Sequence, residues 1–214
     1  MSNNILLCGG GGHCKSVLDS LLKSGQYGDI GIIDIKKKIG KDVLGFKIIG
    51  CDDDLAKLHE NGYQYAFITV GSIGDPSPRI RLSKMIEKIG FKIPNIIDPT
   101  AAVSANAVMD VGIFVGKNAV INAGAVIGRY AIINTASIVE HDCKIGNFTH
   151  IAPGSVLCGE VSIGNNTHIG AGSIIKQQIK IGSDTIIGMG SIVLHDINDH
   201  VLAYGDPCEE VKSL

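Results

Sequence analysis

Two stretches of the chain carry residue types that do chemistry. The first is Glu140-His141-Asp142-Cys143. An imidazole with a carboxylate on each side is held in one tautomer, and its proton affinity rises. That is the equipment of a general base. Two further histidines, His150 and His168, follow at a spacing of their own. The second stretch is Gly9-Gly10-Gly11-Gly12-His13-Cys14-Lys15, directly after the apolar run Ile5-Leu6-Leu7-Cys8. Glycines between a strand and a helix let backbone N–H groups approach a phosphate at the helix N-terminus. Asp34 lies about twenty residues beyond, where an acid that holds a ribose stands in dinucleotide-binding folds. Cys14 occupies the place of that motif's third glycine, which weakens a dinucleotide reading.

The elements that position these groups are unusually plain. From Ile97 to Val193 every sixth residue is aliphatic: Ile97, Val103, Met109, Val115, Ile121, Ile127, Ile133, Val139, Ile145, Ile151, Leu157, Ile163, Ile169, Ile175, Ile181, Ile187 and Val193. Gly often follows, as at Gly116, Gly146 and Gly170, where a corner needing unusual backbone angles is expected. A small or β-prone residue comes three positions later, as at Ala119, Ser137 and Thr149. A short fixed period is the mark of a β-solenoid, whose units cannot bury their aliphatic residue alone and therefore stack. Three hexads make one coil of about eighteen residues, so the array holds roughly five coils. His141 falls two places after a core position, hence at a corner and facing out. His150 and His168, eighteen residues apart, should lie one above the other, neither of them in the core.

In front of the array, the spacing predicts a strand over 4–8, a helix over 16–23, a strand over 30–34 and a strand over 65–70. A helix is predicted from Pro78 to Lys88. This is a Rossmann-like βαβ pattern, in which ligands bind beyond the carboxyl ends of the strands. Gly71 and Ser72 therefore belong to the same crevice as the glycine loop and Asp34. Lys36-Lys37-Lys38 reads as a solvated loop that could also screen a diphosphate. The expected domains are 1–95 and 96–214.

Composition narrows the classes. The formal net charge is −2 and no long basic block occurs, which argues against nucleic acid as a partner. No apolar run reaches membrane-spanning length. The six cysteines form no CxxC pair or framework, so they read as reduced residues of a cytoplasmic protein.

Taken together, these features resemble the hexapeptide-repeat sugar acetyltransferases of the NeuD/PglD/PerB type. The carriers are the Gly9–Gly12 loop with His13 and Lys15, Asp34, the hexad array, the Glu140–Cys143 segment and Gly205-Asp206-Pro207. The resemblance implies a left-handed parallel β-helix, a homotrimer, and acetyl transfer from acetyl-CoA to a nucleotide-linked 4-amino sugar in bacterial surface glycan synthesis. It implies His141 as base and Asp142 as the acid that raises its basicity. His150 would meet the thioester end of acetyl-CoA, and Gly159, Ala171, Gly188 and Met189 would line the pantetheine groove. Gly11, Gly12, His13 and Asp34 would hold the nucleotide-sugar, with Gly71 and Ser72 beside them. No metal is expected. Asp142 stands where relatives often carry the longer Glu.

Other classes make different demands. O-acetylation of sialic acid would use the same base. A metalloenzyme of the γ-carbonic anhydrase type would need histidines converging on zinc, and His141 and His150 lie half a coil apart. A non-catalytic trimeric scaffold leaves His141 and its two carboxylates unexplained. A sugar nucleotidyltransferase needs a longer front domain.

Overall fold

The computed structural model describes residues 3–214. They form two compact units, residues 3–72 with 77–96 and residues 73–76 with 97–214.

The first unit is built on β1 (Asn4–Cys8), α1 (Gly12–Ser24), β2 (Ile30–Ile33), β3 (Asp42–Val43), β4 (Phe46–Gly50), α2 (Leu55–Glu60), β5 (Tyr63–Ile68) and α3 (Ser77–Ile89). Its sheet has the order β3-β4-β2-β1-β5. β1 runs parallel to both β2 and β5, β2 is parallel to β4, and β3 pairs antiparallel to β4. Ile5, Leu6, Leu7 and Cys8 are fully buried, as expected for a central parallel strand covered on both faces. The chain leaves β1 toward β2 on one side and later returns to β5 on the other. The carboxyl ends of β1 and β5 thus flank a switch point, where open α/β sheets place ligands. α1 begins at Gly12, so His13, Cys14 and Lys15 form its first turn and not the end of a loop. β3, β4 and α2 were not expected from the sequence. β3 is a two-residue edge strand, and β4 beside it has only Ile48 and Gly50 buried.

The second unit is the parallel β-helix that the hexads imply, left-handed as the resemblance implies. Two-residue strands recur every six residues and stack into three parallel sheets. Each residue pairs with the one a coil away: Ile138 with Val120 in the first sheet, Lys144 with Val126 in the second, His150 with Ile132 in the third. The second residue of each strand points inward. From Val115 to Val193 none of these is more than 4% exposed. The first rungs differ from expectation: Ile97 is 36% exposed, and Val103 and Met109 are only partly buried. No further coil lies above them to complete their cover.

The glycines after the core residues do not serve the expected purpose. None of Gly116, Gly128, Gly146, Gly164, Gly170, Gly182 and Gly188 has a positive φ. A side chain at these positions would strike the next coil instead: a Cβ on Gly146 would lie 2.5 Å from the Gly164 backbone. The left-handed backbone sits two residues later, at every sixth position from Gly112 to Gly190, and most of its residues are not glycine. Asn118, Asp142, Glu160 and Gln178 are examples, with φ of 54°, 60°, 62° and 64°.

The small-residue row is buried and internally satisfied. Thr149 Oγ1 donates to the Gly164 carbonyl at 2.7 Å, Ser155 Oγ to Gly170 at 2.9 Å, and Thr167 Oγ1 to Gly182 at 2.7 Å. These hydroxyls meet a buried carbonyl that would otherwise cost stability. A hairpin of Val201–Gly205 and Cys208–Ser213, turning at Asp206-Pro207, adds to the third sheet beyond Ile186–Ile187.

Candidate active site

His141 stands on the edge between the first and second sheets, where the chain turns from Val139 toward Lys144. Its side chain is 57% exposed. Nδ1 lies 2.9 Å from Asp142 Oδ2. An ionised carboxylate only accepts, so Nδ1 carries the proton and Nε2 presents the lone pair. Asp142 can turn back onto its neighbour because its own backbone is left-handed (φ 60°), a region that Asp tolerates better than most residues. The bond from Asp142 holds the His141 pKa above the usual imidazole value, and the Asp142, Glu140 and Glu160 charges add to it against slight burial. Glu140 Oε2 also accepts the His141 backbone N–H at 3.3 Å.

Gly159, one coil on, has a role that its sequence position did not reveal. A Cβ built there would overlap Nε2 and Cε1 of His141. The absence of a side chain at 159 is what leaves the imidazole its place. Cys143 is fully buried and donates its Sγ–H to the Cys158 carbonyl at 3.2 Å, and burial pushes its thiol up to about 11. It faces the interior and offers no nucleophile beside the histidine.

The other residues assigned to acetyl-CoA do not join His141 within one chain. His150 faces outward from the third sheet, and the edge that carries His141 lies opposite that sheet in a three-sided prism. Ala171, Gly188 and the 81%-exposed Met189 lie along the edge between the third and first sheets. Gly190 N–H donates to the Ala171 carbonyl across one coil. His150 Nε2 is 3.1 Å from Asn134 Nδ2, and its ring packs edge-on against His168 at 4.9 Å between centroids. His168 is not the surface residue expected. It is 8% exposed, and burial lowers its pKa. The segment 73–76 covers part of that sheet, since Gly74 abuts the Ile186 side chain one coil beyond. Among the described residues no group of three or more His, Cys, Asp or Glu side chains is placed to hold a metal ion.

The first unit contains a separate crevice of about 380 Å³ at the switch point, lined by Gly9, Gly11, Gly12, His13, Asp34, Lys38, Thr69, Val70 and Gly71. The glycine loop, Asp34 and Gly71 therefore converge as their positions after parallel strands suggested. Ser72 does not line the crevice, and its hydroxyl lies 3.5 Å from the guanidinium of buried Arg79. Cys14 is fully buried and turned away from the crevice, and burial pushes its thiol up to about 11. It therefore does not obstruct the loop's approach to a ligand. Sequence reasoning did not single out Thr69, and it gave Lys38 only as one of three lysines that could screen a diphosphate. Lys38 sat unresolved within its lysine run, whereas Thr69, whose Oγ1 donates to the Gly9 carbonyl at 2.6 Å, carried no signal.

The glycine loop and crevice fall within a match to the PglD N-terminal domain over residues 4–86. The coils match the bacterial transferase hexapeptide (six repeats) over 142–177 and the hexapeptide repeat of succinyl-transferase over 105–129 and 160–195. Among solved structures, PerB from Caulobacter crescentus in complex with CoA and GDP-perosamine is 37% identical, with 98% of this chain and 97% of that one covered and a TM-score of 0.90. An H141N form of perosamine N-acetyltransferase from the same organism, also with CoA and GDP-perosamine, gives 36% identity over 98% and 97% and a TM-score of 0.92. The acetyltransferase domain of PglB from Neisseria gonorrhoeae with acetyl coenzyme A is 33% identical over 99% and 100%, with a TM-score of 0.92. An unbroken likeness across both units, at this identity, means that the chain belongs to the PglD/PerB family of hexapeptide-repeat acyltransferases.

Proposed function

We propose that the protein is an acetyl-CoA-dependent N-acetyltransferase acting on a nucleotide-linked 4-amino sugar for bacterial surface glycan synthesis. The observation that carries this reading is the exposed His141 Nε2, its lone pair fixed by the Nδ1–H bond to Asp142 and its space kept open by Gly159. The sugar amine attacks the thioester carbon of acetyl-CoA and a C–N bond forms. His141 Nε2 takes the amine proton, backbone N–H groups face the developing oxyanion, and the C–S bond breaks with release of CoA thiolate.

Of the residues assigned to the donor, Gly159 shares the edge of His141, whereas His150, Ala171, Gly188 and Met189 lie on another sheet or another edge, so the site is completed by a neighbouring copy in a homotrimer. The outward row of the first sheet supports this. Val120, Ile138, Val156, Ile174 and Ile192 form an apolar column between the two edges. His150 would meet the thioester end of the donor, with Gly159, Ala171, Gly188 and Met189 along the pantetheine arm. The nucleotide-sugar occupies the crevice at Gly11, Gly12, His13, Asp34 and Gly71. The corresponding domains are 1–95 for the nucleotide-sugar and 96–214 for acetyl transfer. Six free cysteines fit a cytoplasmic protein, and among the described residues no helix is long and apolar enough to cross a membrane.

The test is a thiol-release assay with acetyl-CoA against UDP- and GDP-linked 4-amino sugars and free sialic acid. Turnover with one amino sugar, lost in His141→Ala, is the expected result. Release with sialic acid alone would make the enzyme an O-acetyltransferase, and silence across the panel would remove the reading.

A further inference from the structure

Asp34 occupies the position of a ribose-binding acid, yet its carboxylate is already engaged. Oδ2 accepts the Gly10 N–H at 2.7 Å and the Lys38 ammonium at 2.9 Å, and Oδ1 accepts the Ile35 N–H at 2.7 Å. Its side chain is 10% exposed, whereas that of Lys38 is 35% exposed. Burial alone would raise the Asp34 pKa, but the bonds from Lys38, Ile35 and Gly10 outweigh it and hold the carboxyl below its ordinary value. Lys38 closes a short 3-10 turn over Lys36–Lys38, and its own N–H returns to the Ile35 carbonyl at 2.8 Å. Of the three lysines only Lys38 lines the crevice. Lys36 pairs instead with Asp53, with both side chains largely in solvent.

We propose that Lys38 binds the diphosphate of the nucleotide-sugar and that Asp34 is the residue that positions Lys38, not a ribose ligand. The proposal rests on the nucleotide-sugar reading of the crevice. An ammonium has three N–H donors. One is spent on Asp34, and the other two remain for phosphate oxygens at the rim where the glycine loop presents its backbone. The same carboxylate oxygen holds the Gly10 N–H. Asp34 thereby fixes the ammonium and the loop to one point, which sets the distance between the two halves of an anion cradle.

The sign of one substitution separates this from simple electrostatics. Asp34→Asn removes a negative charge from an anion site. If the carboxylate did no more than repel, a nucleoside diphosphate would bind the variant more tightly. If it positions Lys38, binding weakens although the repulsion is gone.

The experiment is calorimetric titration of the full-length protein with UDP and with GDP, with CoA as a control ligand. Wild type should bind at least one nucleoside diphosphate. Lys38→Met should weaken it about tenfold or more, the usual scale of a charge-assisted hydrogen bond, and Lys38→Arg should recover most of the loss. Asp34→Asn should weaken it as well, and adding it to Lys38→Met should cost nothing further, because the acid acts through the lysine. CoA binding should be unchanged in every variant, which separates a local effect from misfolding. Unaltered binding by Lys38→Met, tighter binding by Asp34→Asn, or additive losses in the double variant would each overturn the proposal while the nucleotide reading stood. Failure of wild type to bind either diphosphate would remove that reading, and this proposal with it.

Discussion

At the residue scale, the site reduces to one imidazole, one carboxylate and one missing side chain. His141→Ala should leave a folded protein whose kcat falls about 10²–10⁴-fold, the usual worth of a general base, with thermal unfolding unchanged because the side chain is exposed. Asp142 sets the pH at which that base is available. A base acts when deprotonated, and the Asp142 bond raises its pKa, so kcat/KM should fall as pH drops through a value above the ordinary imidazole range. Asp142→Asn should move that acidic limb to lower pH and reduce the plateau rate. A limb that does not move would dissociate Asp142 from the base. Gly159→Ala tests the missing side chain: its methyl would crowd Nε2 and Cε1 of His141 and displace the imidazole, so activity should drop by at least an order of magnitude while the His141→Ala form tolerates the same change. His141 and its flanking acid were legible in the sequence because they break a monotonous pattern. Gly159 was read as groove lining, since its true neighbour is eighteen residues away and glycine at a corner has an ordinary explanation.

At the scale of elements, the hexad array is the part of the fold that sequence displays most openly, because each coil repeats one burial pattern. What it hid was which position carries the unusual backbone. Glycine suggested the residue after the core position, but that glycine yields to the neighbouring coil, while Asn, Asp, Glu and Gln hold the left-handed corner. The two causes separate by mutation. Gly146→Ala should lower the melting temperature by several degrees, because its Cβ would meet Gly164 backbone. Gln178→Gly should raise it slightly, because a left-handed conformation costs a non-glycine residue about 1–2 kcal/mol and glycine is relieved of it. The reverse order of effects would mean that the coils relax more easily than their backbone does. In the first unit, β1, α1, β2, β5 and α3 were legible from apolar runs and helical spacing. β3, β4 and α2 were not, since two-residue and half-exposed elements carry almost no period. The burial of His168 was illegible for another reason: the hexad pattern marks the inward residue of each strand, and His168 stands in the outward row, against the His150 ring.

At the scale of the whole molecule, the proposed chemistry depends on assembly. A single chain presents His141 and Gly159 on one edge and the other residues assigned to the donor elsewhere, so under this proposal a monomer should be inactive even with its His141–Asp142 pair intact. Ile138→Glu combined with Val156→Glu places two charges in the apolar column of the first sheet. Sedimentation should show monomers, acetyl transfer should fall below detection, and nucleoside diphosphate binding should persist. A trimer that survived both charges would locate the contact on another sheet. The eighteen-residue register has a consequence for how such a protein varies in length. Inserting six residues within the array would carry everything beyond it round to the next side of the prism, and inserting twelve would carry it round two. Eighteen would restore every side and lengthen the molecule by one strand spacing of about 4.8 Å. The reach between the base and any anchor farther along its edge is therefore adjustable only in whole steps, so lineages accommodating longer acyl donors are expected to differ by complete coils.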